Sequence, residues 1–199
     1  YVIVESGHVG VIKRLGAVQD VALDEGFHLK VPFLDSIEQI NIRLVKVRST
    51  ALSASKDLQI VKTVVTVQGS VNGDLAPKIF QKIGRLGEIE AAVIEPAIQE
   101  SVKAITAQYT AEQLVTRRAE VKLKIQKAIQ EFIDTTLARK DIQNGIFIAN
   151  VAITDFNFSD EFNRAIELKV KAEQEALQAK NEKLRRVTQA EASAQEKQL

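Results

Sequence analysis

Residues 146–161 read IFIANVAITDFNFSDE, and this stretch divides the chain into two kinds of structure. It begins with a run of apolar and β-branched residues, a composition typical of a strand. Ser159 can then accept a hydrogen bond at the start of a helix, and Asp160 and Glu161 carry the negative charge that a helix N-terminus favours. The sequence therefore predicts a last strand over 146–158 and a helix that begins at Ser159.

The predicted last helix, 159–199, contains neither glycine nor proline and carries an eleven-residue repeat. Small and apolar residues recur along one face at spacings of three and four: Ala165, Leu168, Ala172, Ala176, Ala179, Lys183, Val187, Ala190 and Ala194. A neighbouring row keeps the same period: Ile166, Leu177, Thr188 and Leu199. Eleven residues in three turns predict a nearly straight helix of about 60 Å, too long for a small domain to cover. We expect the first row, apart from Lys183, to be an oligomer interface between parallel copies, and the alternative is a lone solvated helix.

Glycine and proline punctuate the rest of the chain. Eight of the nine glycines and all three prolines lie at or before Pro96, and valine and isoleucine are frequent among them. This composition is typical of strands joined by turns, whereas the stretch between Pro96 and Gly145 can sustain helices. An apolar stripe supports helix there: Val121, Ile125, Ile129, Phe132 and Ile133. The sequence therefore predicts an α+β domain over 1–158, followed by the helix 159–199.

Composition and motifs argue against several functions. Lys and Arg number 27 against 26 Asp and Glu, so the basic excess expected of a nucleic-acid binder is absent. The sequence has no cysteine, and His8 and His28 lack partners at the spacing of a zinc site or a catalytic triad. We therefore predict no catalytic residue, no metal site and no cofactor. An enzyme that uses carboxylates such as Asp155 and Glu161 is the least favoured alternative.

The stretch GFHLKVPFL at residues 26–34 is the one segment whose composition suits contact with a membrane. Its apolar side chains, with a proline at the bend, could form a tip that enters the membrane interface. The candidate membrane-contact residues are Phe27, Leu29, Val31, Pro32, Phe33 and Leu34. The alternative is a core strand that ends in a buried Pro-Phe turn. The sequence has no run that approaches the roughly 18 apolar residues of a membrane span.

Several motifs along the chain match the pattern of one known family. The N-terminal ones are Val4-x-x-Gly7-x-x-Gly10-Val11-Ile12, Arg14-x-Gly16-x-Val18 and Glu25-Gly-Phe-His-x-Lys-x-Pro-Phe33. Later ones are Ser55-Lys-Asp-Leu58, Thr116-x-Arg118-x-Glu120-Val121, Asp155-Phe-Asn-Phe-Ser159 and Ala172-x-Gln174-Glu175-Ala176. Together these motifs resemble the SPFH (band 7) family, which includes stomatins, prohibitins and flotillins. The last two look most like the prohibitin branch. The resemblance implies a mainly antiparallel curved sheet with packed helices, followed by a long Ala-rich helix.

The resemblance also implies a function. Prohibitin-like proteins are membrane scaffolds that assemble into rings or cages, organise the bilayer and associate with membrane-bound AAA+ proteases. By this resemblance we expect a non-enzymatic homo-oligomer that contacts membrane lipid, binds no nucleic acid and modulates such a protease or its clients. We also expect a single-pass membrane anchor N-terminal to Tyr1. The alternative function is that of an adaptor whose helix pairs with an unrelated partner.

Overall fold

A computed structural model of the chain describes residues 1–196. The chain divides into two compact units, of which unit 1 is Tyr1–Asn157 and unit 2 begins at Phe158. Unit 1 combines strands and helices, and every strand pair is antiparallel. The predicted α+β class with antiparallel pairing is therefore confirmed.

The strands form three sheets within the described residues. The strands are β1 (Val2–Val4), β2 (His8–Arg14), β3 (Ala17–Leu23), β4 (Gly26–His28), β5 (Asp35–Asn41), β6 (Val45–Ala54), β7 (Ile60–Val71) and β8 (Ile146–Ile153). The first sheet pairs β1 with β4, the second has the order β3-β2-β5, and the third has the order β6-β7-β8. The chain thus enters the third sheet through the long β6–β7 hairpin and returns to it only with β8.

Within residues 1–196, six α-helices follow or flank these strands. They are α1 (Ala76–Lys82), α2 (Leu86–Ile89), α3 (Glu95–Thr106), α4 (Ala111–Thr116), α5 (Arg118–Arg139) and α6 (Asp160–Glu196). A π-helical turn over Glu90–Ile94 joins α2 to α3 directly ahead of Pro96. Because proline has no amide hydrogen and crowds the preceding turn, a wider turn at this point lets the helix continue.

One part of the core of unit 1 lies between the third sheet and the helices α3 and α5, and another lies where α1 packs on β2 and β3. One face of α5 is fully buried, at Val121, Ile125, Ile129, Ile133 and Leu137. The predicted stripe is thus confirmed except at Phe132, which is only half-buried. Residues spaced by four lie along one line that winds slowly around the surface of α5, and Phe132 lies beside this line.

Helix side chains cap the two free edges of the third sheet. Along β6, the amide of Gln99 donates to the carbonyl of Thr50, and the hydroxyl of Thr106, which donates to the carbonyl of Val102 at 2.8 Å, lies 3.3 Å from the carbonyl of Ala54. Along β8, the amide of Gln126 donates to the carbonyl of Val151 at 2.7 Å. These bonds satisfy edge carbonyls that could otherwise pair with a foreign strand.

The predicted last strand is shorter than expected, because regular pairing ends at Ile153. After it, the hydroxyl of Thr154 accepts a hydrogen bond from the amide of Val64 in place of a backbone carbonyl. The predicted cap of the following helix is confirmed, since the amide of Phe162 donates to the hydroxyl of Ser159 at 3.2 Å. In the predicted second row of the repeat, Leu199 lies outside the described residues.

Candidate functional site

The predicted membrane-contact residues lie at the end of β4 and in the segment 29–34, which leads into β5. All six side chains are on the surface of unit 1: Phe27, Leu29, Val31, Pro32, Phe33 and Leu34. Leu29 is 83% exposed and Phe33 is fully exposed. The alternative of a buried core strand is therefore wrong, because β4 pairs with β1 only as far as His28 and the chain then leaves the sheet. Contact with a membrane stays a prediction.

Two residues that the sequence analysis did not select extend this surface. Leu15, in the turn between β2 and β3, is 78% exposed, and its amide donates to the carbonyl of Leu34 at 2.9 Å. The ring of Tyr1 stacks on that of Phe27, with 5.6 Å between centroids. An apolar residue in a turn next to Gly16 was the available signal for Leu15, since turns favour polar residues. We call the exposed set the apolar tip: Tyr1, Leu15, Phe27, Leu29, Val31, Pro32, Phe33 and Leu34.

The backbone of the apolar tip holds two large residues in the left-handed conformation. Leu15 has a φ of 48° and Phe33 a φ of 65°. For an L-residue this conformation costs roughly 1–2 kcal/mol relative to the right-handed one. Neither side chain recovers that cost by packing within unit 1, because both point into solvent. Such strain persists where the surrounding structure imposes it, and it is frequent at functional sites.

Asp35 fixes the base of the apolar tip. Its carboxylate accepts a hydrogen bond from the amide of Val31 at 3.1 Å and forms an ion pair with Arg14 at 2.8 Å. The hydrogen bond from Arg14 and the one from Val31 together hold the pKa of Asp35 below its ordinary value of 3.8. The amide of Asp35 also donates to the carbonyl of Val31. The segment is thus closed into a loop that fixes where its side chains point.

The two histidines lie beside backbone carbonyl groups. His8 Nδ1 lies 3.3 Å from the carbonyl oxygen of Ser6, and His28 Nε2 lies 2.7 Å from that of Asp24. Each ring thus contacts a nearby backbone group. Among the residues that the structure describes, no group of three or more His, Asp or Glu side chains could hold a metal ion. Asp155 forms ion pairs with Lys122 and Arg118, which lower its pKa.

A charged cluster in unit 1 surrounds the buried ring of Tyr109. Glu120 accepts a hydrogen bond from the Tyr109 hydroxyl at 3.2 Å and pairs with Arg117 at 2.8 Å. Lys124 lies 2.6 Å from the same hydroxyl. These bonds lower the pKa of Glu120 and raise that of Lys124, so both stay charged at neutral pH. The cluster ties the start of α5 to the loop before α4, because Arg117 and Lys124 also lie over the ring.

The predicted oligomer interface lies on α6 in unit 2. All eight predicted residues are exposed: Ala165, Leu168, Ala172, Ala176, Ala179, Val187, Ala190 and Ala194. Larger apolar side chains are exposed on the same helix, with Leu168 at 68% and Leu184 at 66%. Whether copies of the chain cover them stays a prediction. Within residues 1–196, no helix is both long and apolar enough to span a bilayer.

Comparison with known proteins gives one consistent result. The sequence profile of the SPFH domain / Band 7 family matches residues 2–198. Prohibitin-2 of Mus musculus is 32% identical over 201 residues, which cover 96% of this chain and 64% of that protein. The mitochondrial prohibitin-1 of Arabidopsis thaliana is 34% identical over 180 residues, which cover 89% of this chain and 58% of that protein. The chain therefore spans only part of the length of these relatives.

Proposed function

Because the chain belongs to the SPFH domain / Band 7 family, we propose that it is a non-enzymatic membrane scaffold that assembles with copies of itself into a ring or cage. In this proposal residues 1–158 contact the membrane, and the helix 159–199 packs against neighbouring copies. A membrane anchor ahead of Tyr1, as the resemblance implies, would hold the assembly on the bilayer. The assembly would organise the bilayer and modulate a membrane-bound AAA+ protease or its clients.

The observation that carries the membrane half of the proposal is the apolar tip. Monomeric proteins rarely expose a contiguous group of large apolar side chains, and such a group marks a contact with a partner or a membrane. Here the group includes three aromatic rings, and Lys30 lies between Leu29 and Val31. Aromatic residues and lysine are suited to the membrane interface, because the lysine stem stays apolar while its charge reaches the headgroups.

Vesicle flotation tests this half directly. The chain is incubated with phosphatidylcholine vesicles, with and without anionic lipid, and the fraction that floats with the lipid is measured. We expect flotation with both compositions, because the contact is mainly apolar. A chain that stays in the dense fractions at every lipid concentration would contradict the membrane role.

The observation that supports self-assembly is the exposed face of α6. Alanine at positions 172, 176 and 179 lies on one side of the helix and permits a neighbouring helix to approach closely. Ala176→Glu would place a bulky charge in each contact between copies, and a buried unpaired charge is strongly unfavourable. Because a ring repeats the same contact, we expect the variant to fall from the mass of the assembly to that of small species. Size-exclusion chromatography with light scattering measures this mass.

Gln178→Glu is the matched control, since it adds the same charge two residues away on another side of α6. It should keep the mass of the unchanged chain. If Ala176→Glu also keeps that mass, the helix face is not an interface between copies. If the unchanged chain is itself a monomer, the adaptor function, in which α6 pairs with an unrelated partner, replaces the scaffold.

A further inference from the structure

Two lines of charged residues border the first row of the repeat on α6, and both keep its eleven-residue period. From the N-terminal end they are Arg164, Glu175 and Arg186 on one side, and Lys169, Lys180 and Glu191 on the other. With eleven residues in three turns, each line stays beside the row along the whole helix. We call them the flanking lines. They decide which charges a second helix meets when it packs on the row.

The charges of the later two repeats have no ion-pair partner in their own chain. Glu175, Lys180, Arg186 and Glu191 are exposed, and none of them forms an ion pair within residues 1–196. Residues three and four apart are neighbours on a helix. Around Lys180 these positions hold one alanine, two leucines and Lys183, and around Glu191 they hold no charged residue. The helix itself therefore offers neither Lys180 nor Glu191 an opposite charge.

A parallel second copy supplies these charges. When two parallel helices pair through the same row, each flanking line lies beside the other line of the partner helix. Facing residues are then offset by about five positions, as between the g and e positions of a parallel coiled coil. Glu175 of one copy thus meets Lys180 of the other, and Arg186 meets Glu191. Two-fold symmetry repeats each contact, so four contacts between opposite charges border one pair.

Other alignments lose this match. A shift of one repeat between parallel helices would place Glu175 beside Glu191 and Lys180 beside Arg186, which are pairs of like charge. If the row of one copy packed against a different side of its neighbour, the two flanking lines would not meet. Charges that border a helix contact set partner choice and orientation, so the pattern favours the parallel pair in register.

Two features of the row limit the extent and the number of helices in this contact. Arg164 and Lys169 are both positive, so close pairing should begin only at Ala172. Lys183 lies within the row, where its long side chain can carry its charge to water beside a two-helix contact. The row is otherwise mostly alanine, which suits two helices, because the wider core of three or four helices would be left underfilled.

We propose that two copies of the chain pair in parallel and in register through residues 172–194 of α6, with Glu175 bonded to Lys180 of the other copy and Arg186 to Glu191. The inference rests on the proposed self-assembly and assigns the register and the partner residues of the α6 contact. Because a two-fold pair closes on itself, a ring would be built from such pairs, joined through other surfaces, and would contain an even number of chains.

Charge reversal tests the pairing with the full chain. Glu175→Lys and Lys180→Glu each place like charges at two of the four contacts. Exposed ion pairs are individually weak, so we expect each variant to reach half-maximal mass in light scattering at roughly tenfold higher protein concentration. An equimolar mixture should match the unchanged chain, because a pair with one chain of each kind again has opposite charges at every contact. Thermal unfolding of each variant checks that the fold is intact.

The control variants are Glu167→Lys and Arg185→Glu, which reverse charges on the opposite side of α6. Both should assemble like the unchanged chain. If Glu175→Lys and Lys180→Glu keep full mass while Ala176→Glu loses it, the charge pairing is overturned and the proposed scaffold stands. Absence of assembly in the unchanged chain would overturn both. A mixture that assembles as weakly as its components would contradict the parallel register.

A single cysteine tests the register independently, since the chain has no cysteine of its own. Ala176→Cys places one thiol in the row, and in a parallel pair in register the two thiols face each other. We expect a disulfide-linked dimer and no larger species on a non-reducing gel, whereas Glu167→Cys should stay monomeric. An Ala176→Cys chain that assembles without forming the dimer would overturn the proposal, because a shifted contact or a contact with another side of the neighbour keeps the thiols apart.

Discussion

Replacement of Phe33 by glycine should affect stability and membrane binding in opposite directions. Glycine adopts the left-handed conformation freely, so the change removes the roughly 1–2 kcal/mol that this conformation costs Phe33. Glycine also raises the entropy of the unfolded chain, which costs about 0.5–1 kcal/mol. Because the ring is fully exposed, its removal loses no packing within unit 1. We expect the free energy of unfolding to rise by between zero and about 1.5 kcal/mol.

The same change should weaken membrane binding. Transfer of a Phe side chain from water to an apolar environment contributes about 1.5–3 kcal/mol, and each 1.4 kcal/mol corresponds to about a tenfold change in affinity. Full insertion of the Phe33 ring therefore corresponds to roughly a ten- to hundredfold change in the vesicle partition coefficient. Urea denaturation measures the first quantity, and flotation over a series of lipid concentrations measures the second.

Leu58 supplies the matched control for this prediction. It has a φ of 62° and is 82% exposed, but it lies in the β6–β7 hairpin, outside the apolar tip. Leu58→Gly should therefore share the effect on stability and leave flotation unchanged. Phe33→Leu should retain most of the flotation. A loss of about 3–5 kcal/mol in Phe33→Gly, the size expected for a buried ring, would refute the assignment to the surface. Unchanged flotation would refute the membrane contact.

Two further predictions concern the base of the apolar tip and the core. Asp35→Asn should loosen the segment 29–34, seen as faster amide exchange at Val31. Because the pKa of Asp35 is lowered in the folded chain, its stabilising contribution is complete above 3.8 and is lost as the pH falls through the lowered value. The difference in Tm between the two chains should accordingly shrink only below pH 3.8, and a difference that shrinks nearer neutrality would contradict this assignment. Ile129→Ala should lower the free energy of unfolding by about 2–5 kcal/mol in urea titrations, and half-buried Phe132→Ala by clearly less; equal losses would contradict the assigned core face.

Local sequence patterns predicted those parts of the fold that local physics controls. The cap at Ser159, the uninterrupted helix after it and the buried side of α5 all depend on residues within a few turns of one another. Phe132 is only half-buried because a spacing of three or four allows two neighbouring lines on a helix, and the packing against α3 and the sheet covers only one of them fully.

The orientation of the apolar tip could not be decided from the sequence. Phe27, Leu29 and Val31 alternate with other residues in the same way in a core strand and in an exposed loop. The outcome depends on residues that are far apart in the sequence. In the described structure β4 pairs with β1 alone, and Asp35 closes the loop through its ion pair with Arg14. Lys46 and Lys62 likewise come onto one face of the third sheet only through the register of the β6–β7 hairpin.

Assembly and membrane binding should reinforce each other. A single small apolar insertion binds a bilayer weakly, as the marginal and reversible binding of one myristoyl chain illustrates. In a cyclic assembly all copies are related by rotation about one axis, so every apolar tip reaches the same height along that axis. Once one tip has inserted, the others face the membrane at a high effective concentration, and the apparent affinity rises well above that of a single tip. Ala176→Glu, which leaves every residue of the tip unchanged, should therefore reduce flotation together with particle mass, whereas Phe33→Gly should reduce flotation while the mass in solution stays the same. A variant at Ala176 that loses its mass but floats undiminished would show that each copy binds the membrane independently.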